Sequence, residues 1–130
     1  MLIDWTDEYQ GWRDRISKAA SEGDRVAIER HRLADLELDK LQELKHEPDE
    51  NSVSMMRVRQ SGKFPLWRLS HPYVKNIAVR TIVWFPSDDE IVLVAIGGDK
   101  GQMGDVFYDS IGSRADQAIE KYLKERRNEK

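Results

Sequence analysis

Residues 91–96 read IVLVAI, a nearly unbroken apolar run of strand length. A strand that is apolar on both faces belongs at the centre of a sheet, with cover on either side. The remaining chain must supply that cover, and its 130 residues suffice for one compact domain with one core. Two neighbouring segments share the texture. Ile77–Phe85 is rich in β-branched and aromatic residues, and Leu66–His71 is strand-like. Ser87-Asp88-Asp89, after Pro86, reads as a hairpin turn between the last two strands. Met55–Gln60 reads as a further strand with Ser61-Gly62 as its turn, and Gly97-Gly98 breaks the sheet and opens a polar loop.

Before these strands the period changes. Met1–Asp4 is a short first strand, and Thr6 is placed to cap a helix whose first turn carries Asp7 and Glu8. Tyr9, Trp12, Ile16 and Ala19 then recur at the spacing of one buried helical face. Gly23 ends that helix, and Asp24 caps a second with the stripe Ala27, Ala34, Leu38, Leu41 and Leu44, running out near Pro48. A last helix begins after Asp109 on Ala115, Ala118, Ile119 and Tyr122 and ends in a charged tail. The expected fold is α+β: a helical hairpin (6–45) packed on a small, mainly antiparallel four- to five-stranded sheet (53–97), with a C-terminal helix (110–126). The whole chain, 1–130, reads as one domain, with its helices on one side of the sheet.

Charge is unevenly distributed. The net charge is -3, from 21 basic and 24 acidic residues, which taken alone argues against a nucleic-acid partner. The 14 acids of residues 1–50 outnumber 8 bases there, whereas residues 51–130 carry 13 bases and 10 acids. From Asn51 to Ser87 there is no acid, but Arg57, Arg59, Lys63, Arg68, Lys75 and Arg80 all occur. A run of this kind attracts polyanions whatever the charge of the whole. Cysteine is absent, which excludes disulfides, thiolate metal sites and a cysteine nucleophile. No window is long and apolar enough for a membrane span, and the opening MLIDWTDEYQ has acids where a secretory leader would be basic and apolar, so a cytoplasmic protein with no membrane partner is expected.

Metal and nucleotide chemistry have little support. His31, His46 and His71 are far apart and outside any metal-binding spacing; His31 reads as a half-buried residue of the second helix and His46 as a dipole partner near its end. The stretch Gly97-Gly98-Asp99-Lys100-Gly101 lacks the spacing of a phosphate loop. No cofactor is expected. Arginines in strands are more informative. Alternation places Ala78, Arg80, Ile82 and Trp84 on one face. An arginine there needs water, an acid or a bound anion; Asp99 and Asp105 are candidate acids. Arg68 is either a neighbour of Arg80 or an edge charge. Two arginines on one face would suit a phosphodiester, because guanidinium matches phosphate oxygens bidentately. Trp67 and Trp84 are either base-stacking platforms or core.

The segments LWRLSH (66–71), IAVRTIVWF (77–85), IVLVAIGGDKG (91–101) and DVFYDSIGSRADQAIEKYL (105–123), with the opening DWTDEY, resemble the RelE/ParE superfamily, RelE/HigB-like toxins of type II toxin–antitoxin modules. The resemblance covers most of the chain. It implies a RelE-like fold and a ribosome-dependent mRNA endonuclease, causing translation inhibition and growth arrest. Arg80 matches the strand arginine at the scissile phosphate, Lys100 the base after the last strand, and Tyr108 the C-terminal aromatic or histidine. Arg57, Arg59 and Lys63 match the basic segment used for RNA and ribosome contact. Two positions depart from the family pattern: Arg68 replaces a glutamate of the strand motif, and the paired-lysine loop is reduced to Asp99-Lys100.

The implied reaction is metal-free attack of the RNA 2′-OH on the adjacent phosphorus, with Arg80 and Lys100 or Arg57 stabilising the phosphorane oxygens. Tyr108 and His71 are the candidate proton carriers, although a phenol serves as a base near neutral pH only with help from neighbouring cations. Arg68 and Trp84 join the RNA-binding set. The implied partners are a cognate antitoxin, mRNA and the ribosome. The same superfamily includes ParE-like gyrase inhibitors, whose partner is DNA gyrase, and a non-catalytic phage or bacterial regulatory protein is the third reading.

Overall fold

A computed structural model describes residues 1–70, 76–86, 90–103 and 106–128. The described elements run β1 (Leu2–Trp5), α1 (Asp7–Ser21), α2 (Arg25–Glu43), β2 (Met55–Arg57), β3 (Trp67–Ser70), β4 (Val79–Trp84), β5 (Ile91–Asp99), α3 (Lys100–Met103), α4 (Val106–Asp109) and α5 (Ile111–Asn128). The fold is α+β. Its five-stranded sheet has the order β1-β5-β4-β3-β2. β1 runs parallel to β5, and the other pairings are antiparallel. The IVLVAI run lies within β5, which is flanked on both sides, as its composition requires.

The cover comes from two layers rather than one. Val92 and Val94 point to the helical hairpin, where they join Tyr9, Leu41, Trp67, Leu69 and Val83. Leu93, Ala95 and Ile96 point the other way, to Phe107, Tyr108, Ile111, Ala115 and Ile119. The expectation that all helices share one side is therefore corrected: a strand apolar on both faces cannot leave one of them in water, and α4 and α5 close it.

Gly97 and Gly98 do not end the sheet either. They continue β5, which runs on to Asp99. A Cβ on Gly97 would collide with the Trp12 ring, and one on Gly98 with the Phe107 ring. The two glycines thus accept one aromatic from each layer directly against the backbone. A bulge precedes them, because Val83 pairs with Val94 while Ile82 pairs with Ile96, leaving Ala95 over. The extra residue resets the alternation, so that Gly97 meets the hairpin and Gly98 meets α4.

The hairpin is capped as its sequence suggests. The Thr6 hydroxyl accepts from Tyr9 N at 3.1 Å and donates to the Ala95 carbonyl at 2.7 Å, tying the start of α1 to the bulge. The Asp24 carboxylate accepts from Val26 N and Ala27 N. Gly23 has φ 93°, which suits a helix end. His31 is half-buried beside Arg13, with Nδ1 3.2 Å from Nη2. His46 lies beyond the end of α2 and contacts its neighbour's carbonyl, Glu47 O, outside the helix's last turn.

Candidate functional site

The β4 alternation sends Val79, Thr81 and Val83 to the hairpin and Arg80, Ile82 and Trp84 to the α5 side. On β3, Arg68 stands opposite Ile82, so its side chain shares that side. Lys100 opens α3 immediately after β5, and Tyr108 lies in α4. These elements bring three sequence-predicted residues together. The Arg68 guanidinium lies 5.9 Å and the Lys100 ammonium 5.3 Å from the centre of the Tyr108 ring. Each cation is attracted by the ring quadrupole.

Arg80 occupies the same side, opposite Ser70 on β3 and Gly98 on β5. Its Nη1 donates to the Val79 carbonyl at 3.0 Å, while its Nε is buried with no hydrogen-bond partner among the described residues. The Tyr108 hydroxyl is likewise buried and unpartnered among the described residues. Arg68 donates to Met56 Sδ at 3.2 Å, a weak acceptor. Neither Arg68 nor Arg80 forms an ion pair among the described residues. Asp99, one of the two acids considered for Arg80, is taken by Arg30, with Nε 2.8 Å from Oδ2. Asp105 lies outside the described residues. A buried donor without an acceptor costs about 1–3 kcal/mol, which a ligand oxygen could recover.

The other sequence-predicted residues lie elsewhere. Arg57 is paired with Trp67 across β2 and β3, and its guanidinium sits 4.7 Å over the Trp67 ring, on the hairpin side. The strand alternation that turns Arg68 towards Tyr108 turns Arg57 away, so the expected partnership of Arg57 with Arg80 in one cluster is corrected. Arg59 is exposed in the turn after β2. Lys63 pairs with Glu120 of α5 at 3.1 Å. Trp84 packs on Phe64 with ring centres 4.9 Å apart, four residues along β4 from Arg80 and therefore about 13 Å away at the usual strand rise. Trp67 is core, and its indole N–H donates to Glu47 at 3.0 Å. His71 lies outside the described residues.

Sequence reasoning misses one buried acid. Glu37 of α2 is fully buried and accepts a 3.2 Å hydrogen bond from the Thr81 hydroxyl. Burial pushes its carboxyl up to about 9, against smaller opposing effects of the Thr81 bond and the Arg80 and Lys40 charges. It stands between Ala34 and Leu41 on the buried stripe, three residues after one and four before the other, so helical spacing alone marks it. No group of three His, Asp or Glu among the described residues is placed to hold a metal ion. No described helix is long and apolar enough to cross a membrane.

No protein-family model, curated protein or solved structure matches the chain.

Proposed function

We propose that the chain is a RelE-like toxin of a type II toxin–antitoxin module, and that it cleaves mRNA on the ribosome. The convergence of Arg68 and Lys100 on Tyr108, on the sheet side that also bears Arg80, carries this reading. Guanidinium and ammonium groups gathered about one ring suit a phosphodiester. The helical hairpin, the arginine-bearing strand and the cation after the last strand are the parts on which the resemblance rests.

In the proposed reaction the RNA 2′-oxygen bonds to the adjacent phosphorus and the bond to the 5′-oxygen breaks, leaving a 2′,3′-cyclic phosphate. Arg80 and Lys100 stabilise the charge that grows on the non-bridging oxygens. One proton leaves the 2′-OH and another reaches the departing 5′-oxygen. His71 is the proton carrier in this reading. The buried hydroxyl of Tyr108 suits it better to holding the two cations than to exchanging protons with a substrate. A cognate antitoxin and the ribosome are the proposed partners.

Controlled induction tests this directly. Growth should arrest with transcripts cut inside translated codons, and Arg80→Ala should abolish both effects while its circular dichroism stays that of the parent. Full toxicity of Arg80→Ala would remove the mechanism. Intact transcripts with a DNA-damage response would identify a gyrase inhibitor, and harmless expression of the parent chain would identify a non-catalytic regulator.

A further inference from the structure

We infer that the Arg30–Asp99 ion pair is a positioning device that sets Lys100 against Tyr108 and anchors the strand leading into Arg80. The inference rests on the reading of Lys100 and Arg80 as phosphate-binding residues. Asp99 is the last residue of β5, and its side chain is 6% exposed. Its two oxygens bind three donors. Oδ2 accepts from Arg30 Nε at 2.8 Å, and Oδ1 accepts from the backbone N–H of Ala78 at 2.9 Å and of Gly101 at 2.8 Å. The Lys100 N–H in turn donates to the Ala78 carbonyl at 2.9 Å. Both polar backbone groups of Ala78 are therefore held by residues 99–101, two positions before Arg80. Lys100 is fixed between two anchored neighbours.

Gly101 completes the clamp. A Cβ there would stand 2.8 Å from the Asn76 carbonyl and 2.9 Å from Asp99 Oδ1, so only glycine lets the chain close on the carboxylate. Arg30 comes from α2, in the hairpin layer, and is itself 17% exposed. A buried ion pair is generally a poor source of stability, since an apolar pair of equal volume does as well or better. What this one achieves is geometric. It neutralises a carboxylate whose remaining lone pairs orient the backbone on both sides of the cluster.

Ring-current shifts in proton NMR report on this placement without any ligand. The Lys100 side chain approaches the Tyr108 ring, so its ε-methylene protons should carry a shift that Tyr108→Leu removes. Asp99→Asn and Arg30→Met should lose most of that shift in folded protein, and Arg30→Lys should keep it. Retention of the parent shift in Arg30→Met overturns the inference, and that variant decides alone if Asp99→Asn does not fold. A second arm measures binding of a 2′-O-methyl RNA, which cannot be cleaved. Lys100→Ala should weaken binding about tenfold in the parent, the scale of one charge-assisted contact, and about twofold or less in the Arg30→Met background. An equal loss in both backgrounds overturns the inference. Absence of RNA binding by the parent refutes the phosphate-binding reading, and the ring-current shifts then decide whether the ion pair positions Lys100.

Discussion

Glu37 shows how a single side chain couples stability to pH. In the unfolded chain its carboxyl titrates near the ordinary 4.5, whereas burial raises it to about 9 in the fold. Between those values the folded state holds a proton that the unfolded state releases. Unfolding free energy therefore falls as pH rises through that window, and the contribution is complete only below about 4.5. Glu37→Gln keeps a partner for Thr81 and removes the titration. Thermal melts between pH 6 and 9 should show the parent losing stability faster than Glu37→Gln, which becomes the more stable of the two at the alkaline end. Parallel curves would mean that the carboxyl is solvated. At this scale the sequence is legible where period and residue type agree, as with Arg80 on the face of β4 that it shares with Ile82 and Trp84. It is silent where the partner is distant. Nothing near Asp99 in the chain points to Arg30, 69 residues away.

Among the elements, β1 and α1 are readable because cap and apolar spacing coincide at Thr6 and Tyr9. The end of β5 is not, since two consecutive glycines ordinarily signal a break. Their role appears only when the Trp12 and Phe107 rings are seen against the backbone, which is a tertiary fact. The same applies to α5: its stripe is legible, but the sheet face it covers is not. Thr6 is the joint between these elements, with one bond to its own helix and one to the bulge. Thr6→Ala should cost about 1–2 kcal/mol in denaturant unfolding, the range for losing a cap, and Thr6→Ser should recover most of it. Equal losses in both variants would assign the effect to the methyl group instead.

Across the whole molecule the charges form two fields. The first 50 residues carry a large excess of acid, while Arg68, Arg80 and Lys100 stand on the sheet side away from the hairpin. A net charge of -3 conceals this arrangement. If those three cations each contact a phosphate, RNA affinity should fall with salt at a logarithmic slope of about -2, and Arg80→Ala should flatten it by about 0.7. A slope near zero in the parent would exclude an electrostatic complex. Arg57 sits on the opposite side and should leave the slope unchanged when replaced by Ala.

The parallel pairing of β1 with β5 also governs the order in which the chain can mature. Leu2 registers with Ile91, so a strand made early in synthesis must wait for the last of the five described strands before it finds its neighbour. Closing a loop of that length costs on the order of 4 kcal/mol in chain entropy. Until then, Tyr9, Leu41 and the rest of the hairpin's apolar side have only an incomplete sheet to cover, without Val92 and Val94. β4 and β5, joined locally, provide the surface on which both the early hairpin and the late helix condense. The hairpin-side core can therefore close once β5 is made, whereas the second core and the cationic cluster must wait until the chain has passed Tyr108.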